Sequence, residues 1–98
     1  MPVSKKLLVV DVAALGWNIG SAFDGFAPAA SVFPGLTSVA QATFRTGALP
    51  GSHGLVGNGF LFRDLRKVLF WEQAASLVAG ARIWDAFRAR GGTVGMMF

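Results

Sequence analysis

Apolar and polar positions alternate in no single rhythm along this chain, and each change of rhythm marks an element. Leu7 to Val12 is short and almost continuously apolar. That pattern predicts a central strand with both faces covered. Ala13 to Val32 has no firm period and is rich in Gly and Ala, so it predicts a loop with at most one helical turn. Trp17, Phe23 and Phe26 are its packing anchors, and Asp24-Gly25 reads as a turn. Asn18 reads as a turn residue or a binding residue.

Helical spacing begins after Phe33-Pro34-Gly35. Ser38 to Thr46 predicts a helix about 13 Å long at 1.5 Å per residue. Val39, Ala42 and Thr46 share one side, and Leu36, Ala40 and Phe44 lie on an adjoining one. Thr37 falls where an N-cap hydroxyl is expected. Gly47 reads as the C-terminal stop, with Pro50 shortly beyond. A glycine-rich loop from Gly51 to Gly59 follows, holding His53 and Asn58. Phe60 to Trp71 alternates irregularly between aromatic and basic residues. It predicts an extended segment anchored by Phe60 and Phe62, or a substrate lid. Ala81 to Arg90 reads as an amphipathic helix with Ile83, Trp84 and Phe87 inward, Arg82, Asp85 and Arg88 outward, and Gly91 as the stop. Thr93 to Phe98 reads as a second strand. The order strand, loop, helix, long loop, helix, strand predicts an α/β fold, the front of a three-layer α/β domain.

Composition sharpens this picture. The 98 residues are 53% hydrophobic and 14% charged, which is apolar for a small free-standing domain. The surplus predicts either a well-buried core or apolar faces that meet further elements or a second copy. The formal charge is +4, but the basic residues are scattered and do not interleave with aromatics, so nucleic acid is not expected as a partner. The absence of cysteine excludes thiol catalysis, disulfides and cysteine-ligated metal. No apolar run approaches the roughly 20 residues needed to span a bilayer. A cytoplasmic location is expected. The alternative is export, with Lys5-Lys6, the apolar stretch to Trp17 and Ala27-Pro28-Ala29 acting as a signal peptide.

Three side chains carry candidate chemistry. Thr37 at a helix start reads first as a cap. The same place favours an anion, and a threonine hydroxyl there can attack a phosphoryl group if a metal activates it. Asn58 can donate its amide to a phosphate oxygen. Asp11, at the predicted strand's C-terminal end, reads as a metal or ligand contact or as a turn cap. His53 reads as a metal ligand, an acid-base group or a loop tie. The glycines of the loop lack the Gly-Lys-Ser or Gly-Lys-Thr ending of a Walker loop.

The runs FPGLTSVAQATFRTG, ALPGSHGLVGNG, FLFRDLRKVLFWEQAASLV and GARIWDAF resemble the type I phosphodiesterase/nucleotide pyrophosphatase family of the alkaline phosphatase superfamily. The resemblance covers most of Phe33 to Phe87. It implies that residues 1–98 are a partial domain, the N-terminal part of a three-layer α/β/α alkaline-phosphatase-like fold. It implies a metal-dependent hydrolase of phosphodiester or pyrophosphate bonds, acting on a small phosphodiester or nucleotide-like substrate. By the same resemblance, Thr37 is the nucleophile, Asn58 the phosphate contact and His53 a structural motif residue. Two divalent cations, usually zinc, are implied, with Asp11 and Thr37 as the ligands this stretch can offer. The chain departs from the family pattern where Val12 follows Asp11 in place of glycine. An alignment on Leu15 puts Ala13 at that ligand position. With five acidic residues and one histidine in all, the expectation is an incomplete two-metal site. The alternatives are a non-catalytic phosphate-binding or interaction module and a degenerate fragment.

Overall fold

The computed structural model describes residues 5–71 and 74–97. They divide into two compact units, one ending at Ala30 and the other beginning at Ser31.

The first unit contains one helical turn, α1 (Trp17–Gly20). Gly20 is its buried residue, and Asp24-Gly25 turns the chain with Gly25 at φ 85°. Phe23 and Phe26 pack with ring centroids 6.0 Å apart. The strand expected at Leu7–Val12 is not formed: these residues have no regular secondary structure and are exposed, Leu7 to 88% and Leu8 to 85%. A strand requires a neighbour to take its amides and carbonyls, and none of the described strands pairs with this stretch.

The second unit is built on α2 (Thr37–Thr46). Its apolar stripe places Val39 and Ala42 in the core, as the spacing predicts. Leu36 and Phe44, on the adjoining side, stay exposed. Gly47 ends the helix at φ 64°, where its amide bonds the Thr43 carbonyl at 2.8 Å. A side chain at that φ is strained, which is why glycine stops the helix here. Thr46 reinforces the exit. Its Oγ1 donates to the Ala42 carbonyl at 2.7 Å and accepts the Ala48 amide at 3.2 Å.

The glycine-rich loop contains an element that the sequence reading missed, the single turn α3 (Pro50–His53). Proline at its first position costs no hydrogen bond and presets φ for a helix. Gly54 at φ 81° ends it. This short turn packs on α2.

The extended segment expected at Phe60–Trp71 is a β-hairpin. Strand β1 (Gly59–Phe62) pairs antiparallel with β2 (Lys67–Phe70), with Phe60 opposite Leu69 and Leu61 opposite Val68. The half-buried Phe60 and Phe62 share one face with Leu69. Leu61 and Val68 form the other face and remain 63% and 54% exposed. Arg63 to Arg66 make the turn, closed by the Arg66 amide on the Arg63 carbonyl at 3.1 Å. No Asn-Gly or Asp-Gly pair announces this connection.

After the hairpin, a 3₁₀ turn (Ala75–Leu77) precedes α4 (Asp85–Ala89). Helix α4 is shorter than the predicted Ala81–Arg90. Arg82 is the reason. Its guanidinium donates to the carbonyls of Ala75, Val78 and Gly80, and its own amide donates to Asp85 Oδ2 at 2.7 Å. The residue expected to point outward therefore folds the chain back on itself. Ile83 and Phe87, expected inward, are 53% and 46% exposed. Gly91 stops α4 at φ 86°. Thr93 to Met97 takes part in no strand pairing among the described residues, so the second expected strand is not formed there. Phe98 lies outside the described residues.

The described residues form a small α/β structure with one open two-stranded sheet. No described helix is long and apolar enough to cross a membrane.

Candidate functional site

The site sits at the N-terminus of α2. The helix opens on Leu36, which has no polar side chain to cap the first turn. The N-cap is thus Leu36, and the cap expected of Thr37 is not made. Thr37 is the first helical residue, is exposed, and its hydroxyl has no hydrogen-bond partner among the described residues.

Asn58 supplies what Leu36 lacks. Its Oδ1 accepts the Ser38 amide at 3.3 Å, from 20 residues further along the chain. Its own carbonyl takes the Trp71 amide at 2.6 Å, at the end of the hairpin. Asn58 is therefore fixed from two sides. With Oδ1 occupied, the amide NH₂ remains as its donor. The tertiary fold brings Asn58 to the residue that follows Thr37, at the end of α2 where backbone donors are unpaired and the helix dipole is positive.

His53 is placed differently. It is fully buried. Its Nδ1 accepts the Leu55 amide at 3.1 Å, so the ring proton lies on Nε2. Nε2 meets Thr43 Oγ1 at 2.9 Å. That hydroxyl donates to the Val39 carbonyl, also at 2.9 Å. The His53 carbonyl takes the Ala79 amide at 2.9 Å. The imidazole has no lone pair left for a metal or a substrate. The ring locks α3 onto α2, and the residue's backbone carbonyl ties both to the segment that follows the hairpin.

Asp11 is exposed and belongs to the unit ending at Ala30, whereas Thr37, Asn58 and His53 belong to the other. Among the described residues, no three His, Cys, Asp or Glu side chains gather as a metal-ligating cluster. Two divalent cations need several carboxylate or imidazole ligands. With the sole imidazole committed to Thr43 and Leu55, the described donors do not fit such a centre.

Two residues of this arrangement were not singled out by the sequence reading. Ser38 contributes the amide that holds Asn58. Thr43 completes the histidine lock, and its place one turn after Val39, on the buried stripe, was the available signal.

Fold and site together define a small α/β chain in which Asn58 holds the first turn of the helix that the exposed Thr37 begins. The chain belongs to the Type I phosphodiesterase / nucleotide pyrophosphatase family, whose model matches residues 24–98. No curated protein and no solved structure matches the chain.

Proposed function

We propose that this chain carries the phosphoryl-facing part of a phosphodiesterase or nucleotide-pyrophosphatase hydrolase, with Thr37 as nucleophile and Asn58 as the contact to a phosphate oxygen. The substrate is a small phosphodiester or nucleotide-like molecule. In this reading residues 1–98 are the N-terminal part of a three-layer α/β/α domain of the alkaline phosphatase type. The observation that carries the proposal is the bond from the Ser38 amide to Asn58 Oδ1, which ties the Asn58 side chain to the residue that follows Thr37.

The chain's own residues have limited, definable roles. The first turn of α2 attracts the anion through its unpaired donors and dipole. The Asn58 NH₂ donates to one phosphoryl oxygen, and Thr37 presents its oxygen towards phosphorus. A neutral threonine hydroxyl is a weak nucleophile. In the family, divalent cations supply the activation. Asp11 and Thr37 are the candidate ligands here, but the described donor set does not make up such a centre, so no step is drawn through a metal.

Titration of the purified chain with inorganic phosphate, followed by amide and side-chain NMR shifts, tests the binding part. Saturable shifts centred on Thr37, Ser38 and the Asn58 NH₂ are expected, lost in Asn58→Leu. Shifts elsewhere, or none, refute it. Bis-p-nitrophenyl phosphate with zinc tests the reaction. Turnover near background is expected from the isolated chain. Turnover abolished by Thr37→Ala, and reduced by Asp11→Ala, would show that the donor set is complete after all. Phosphate binding with no turnover under any metal favours the alternative of a non-catalytic phosphate-binding module.

A further inference from the structure

Ser38 is 3% exposed, and its Oγ has no hydrogen-bond partner among the described residues. An orphan buried hydroxyl is costly unless something outside the protein completes it. This hydroxyl belongs to the lining of a cavity of about 70 Å³ between α2 and the segment from Ala75 to Trp84. One water needs roughly 10–15 Å³ in this measure, so the cavity has room for more than one.

The lining also supplies the further partners that a water requires. Gln41 lies one turn after Ser38 on the same side of α2, and its amide carries donors and an acceptor with no partner among the described residues. Arg82 lines the opposite wall. Its guanidinium uses three N–H groups on the carbonyls of Ala75, Val78 and Gly80. Of the five it possesses, two remain.

We propose that this cavity is a built hydration site, in which bound water joins Ser38 Oγ and the Gln41 amide to the Arg82 guanidinium. The water docks the Ala75–Trp84 segment onto α2. It also holds the residue whose amide Asn58 Oδ1 accepts, since Ser38 donates to Asn58 through its backbone and lines the cavity. The site is independent of any phosphoryl chemistry at Thr37.

Two measurements on the wild-type chain and one variant test this. Water–protein cross-relaxation in NMR should place long-lived water against the Ser38 and Gln41 side chains. Xenon should leave the Ala42, Leu55 and Val78 methyl signals unmoved, because a cavity already filled by water bound to Ser38, Gln41 and Arg82 has no empty space for it. Ser38→Ala should lower the thermal midpoint, having removed one of the water's partners. Xenon-dependent shifts at those methyls, or a raised midpoint in Ser38→Ala, mean a dry cavity with a stranded hydroxyl and overturn the proposal. Phosphate-dependent shifts confined to Gln41 and Arg82 mean that the cavity takes an anion, which overturns it equally.

Discussion

Replacing His53 separates what its ring does by packing from what it does by hydrogen bonding. His53→Phe keeps a planar ring in the fully buried site but removes both nitrogens. The Thr43 hydroxyl keeps its bond to the Val39 carbonyl. The Leu55 amide, in a residue only 3% exposed, loses its acceptor. Stranding a buried donor costs about 1–3 kcal/mol. His53→Ala adds the loss of ring packing, for a total of about 3–5 kcal/mol. At about 4–8 °C per kcal/mol for a domain of this size, a loss of about 1–3 kcal/mol in His53→Phe lowers the midpoint by about 4–24 °C. Calorimetry or urea unfolding reads this, and hydrogen exchange at the Leu55 amide localises it. A cycle with Thr43→Val should show a coupling of about 1 kcal/mol, because the two side chains share one bond. If His53→Phe unfolds within about 0.5 kcal/mol of the parent and Leu55 keeps its protection, the ring is not a lock and the reasoning fails.

Three further substitutions probe the frame around the site. Gly47→Ala forces a side chain into φ 64° at the end of α2 and should cost about 1 kcal/mol by urea unfolding. Thr46→Val conserves shape while deleting the bonds to the Ala42 carbonyl and the Ala48 amide; a loss of about 1–2 kcal/mol is expected in thermal unfolding. Arg82→Lys replaces a fork that spans the carbonyls of Ala75, Val78 and Gly80 with a single ammonium. It should cost about 1 kcal/mol and accelerate hydrogen exchange at the Ala79 and Ile83 amides, which tie this segment to His53 and Arg45.

The local elements were legible where one short stretch contains both the pattern and its stop. Helix α2 shows its apolar stripe at Val39 and Ala42 and its end at Gly47, because helical hydrogen bonds close within a few residues. The turn at Asp24-Gly25 was legible for the same reason, whereas the one helical turn allowed within Ala13 to Val32 had no place until the structure put it at Trp17–Gly20. The strands were not. Leu7 to Val12 has strand composition, but pairing depends on a neighbour that composition does not provide. The β1–β2 hairpin lacks the turn signal that would have announced it.

The candidate site divides in the same way. The sequence by itself determined the family and the place of Thr37 at a helix start, because both reside in a contiguous run of residues. Only the tertiary structure decided that Leu36 is the cap position, that Asn58 reaches back to hold the Ser38 amide, and that His53 is consumed by Thr43 and Leu55. It also decided that Arg82 commits its guanidinium to three backbone carbonyls. The physical reason is common to all four. A side chain's type lists the bonds it can make, but which partner takes them depends on groups brought within about 3 Å by folding.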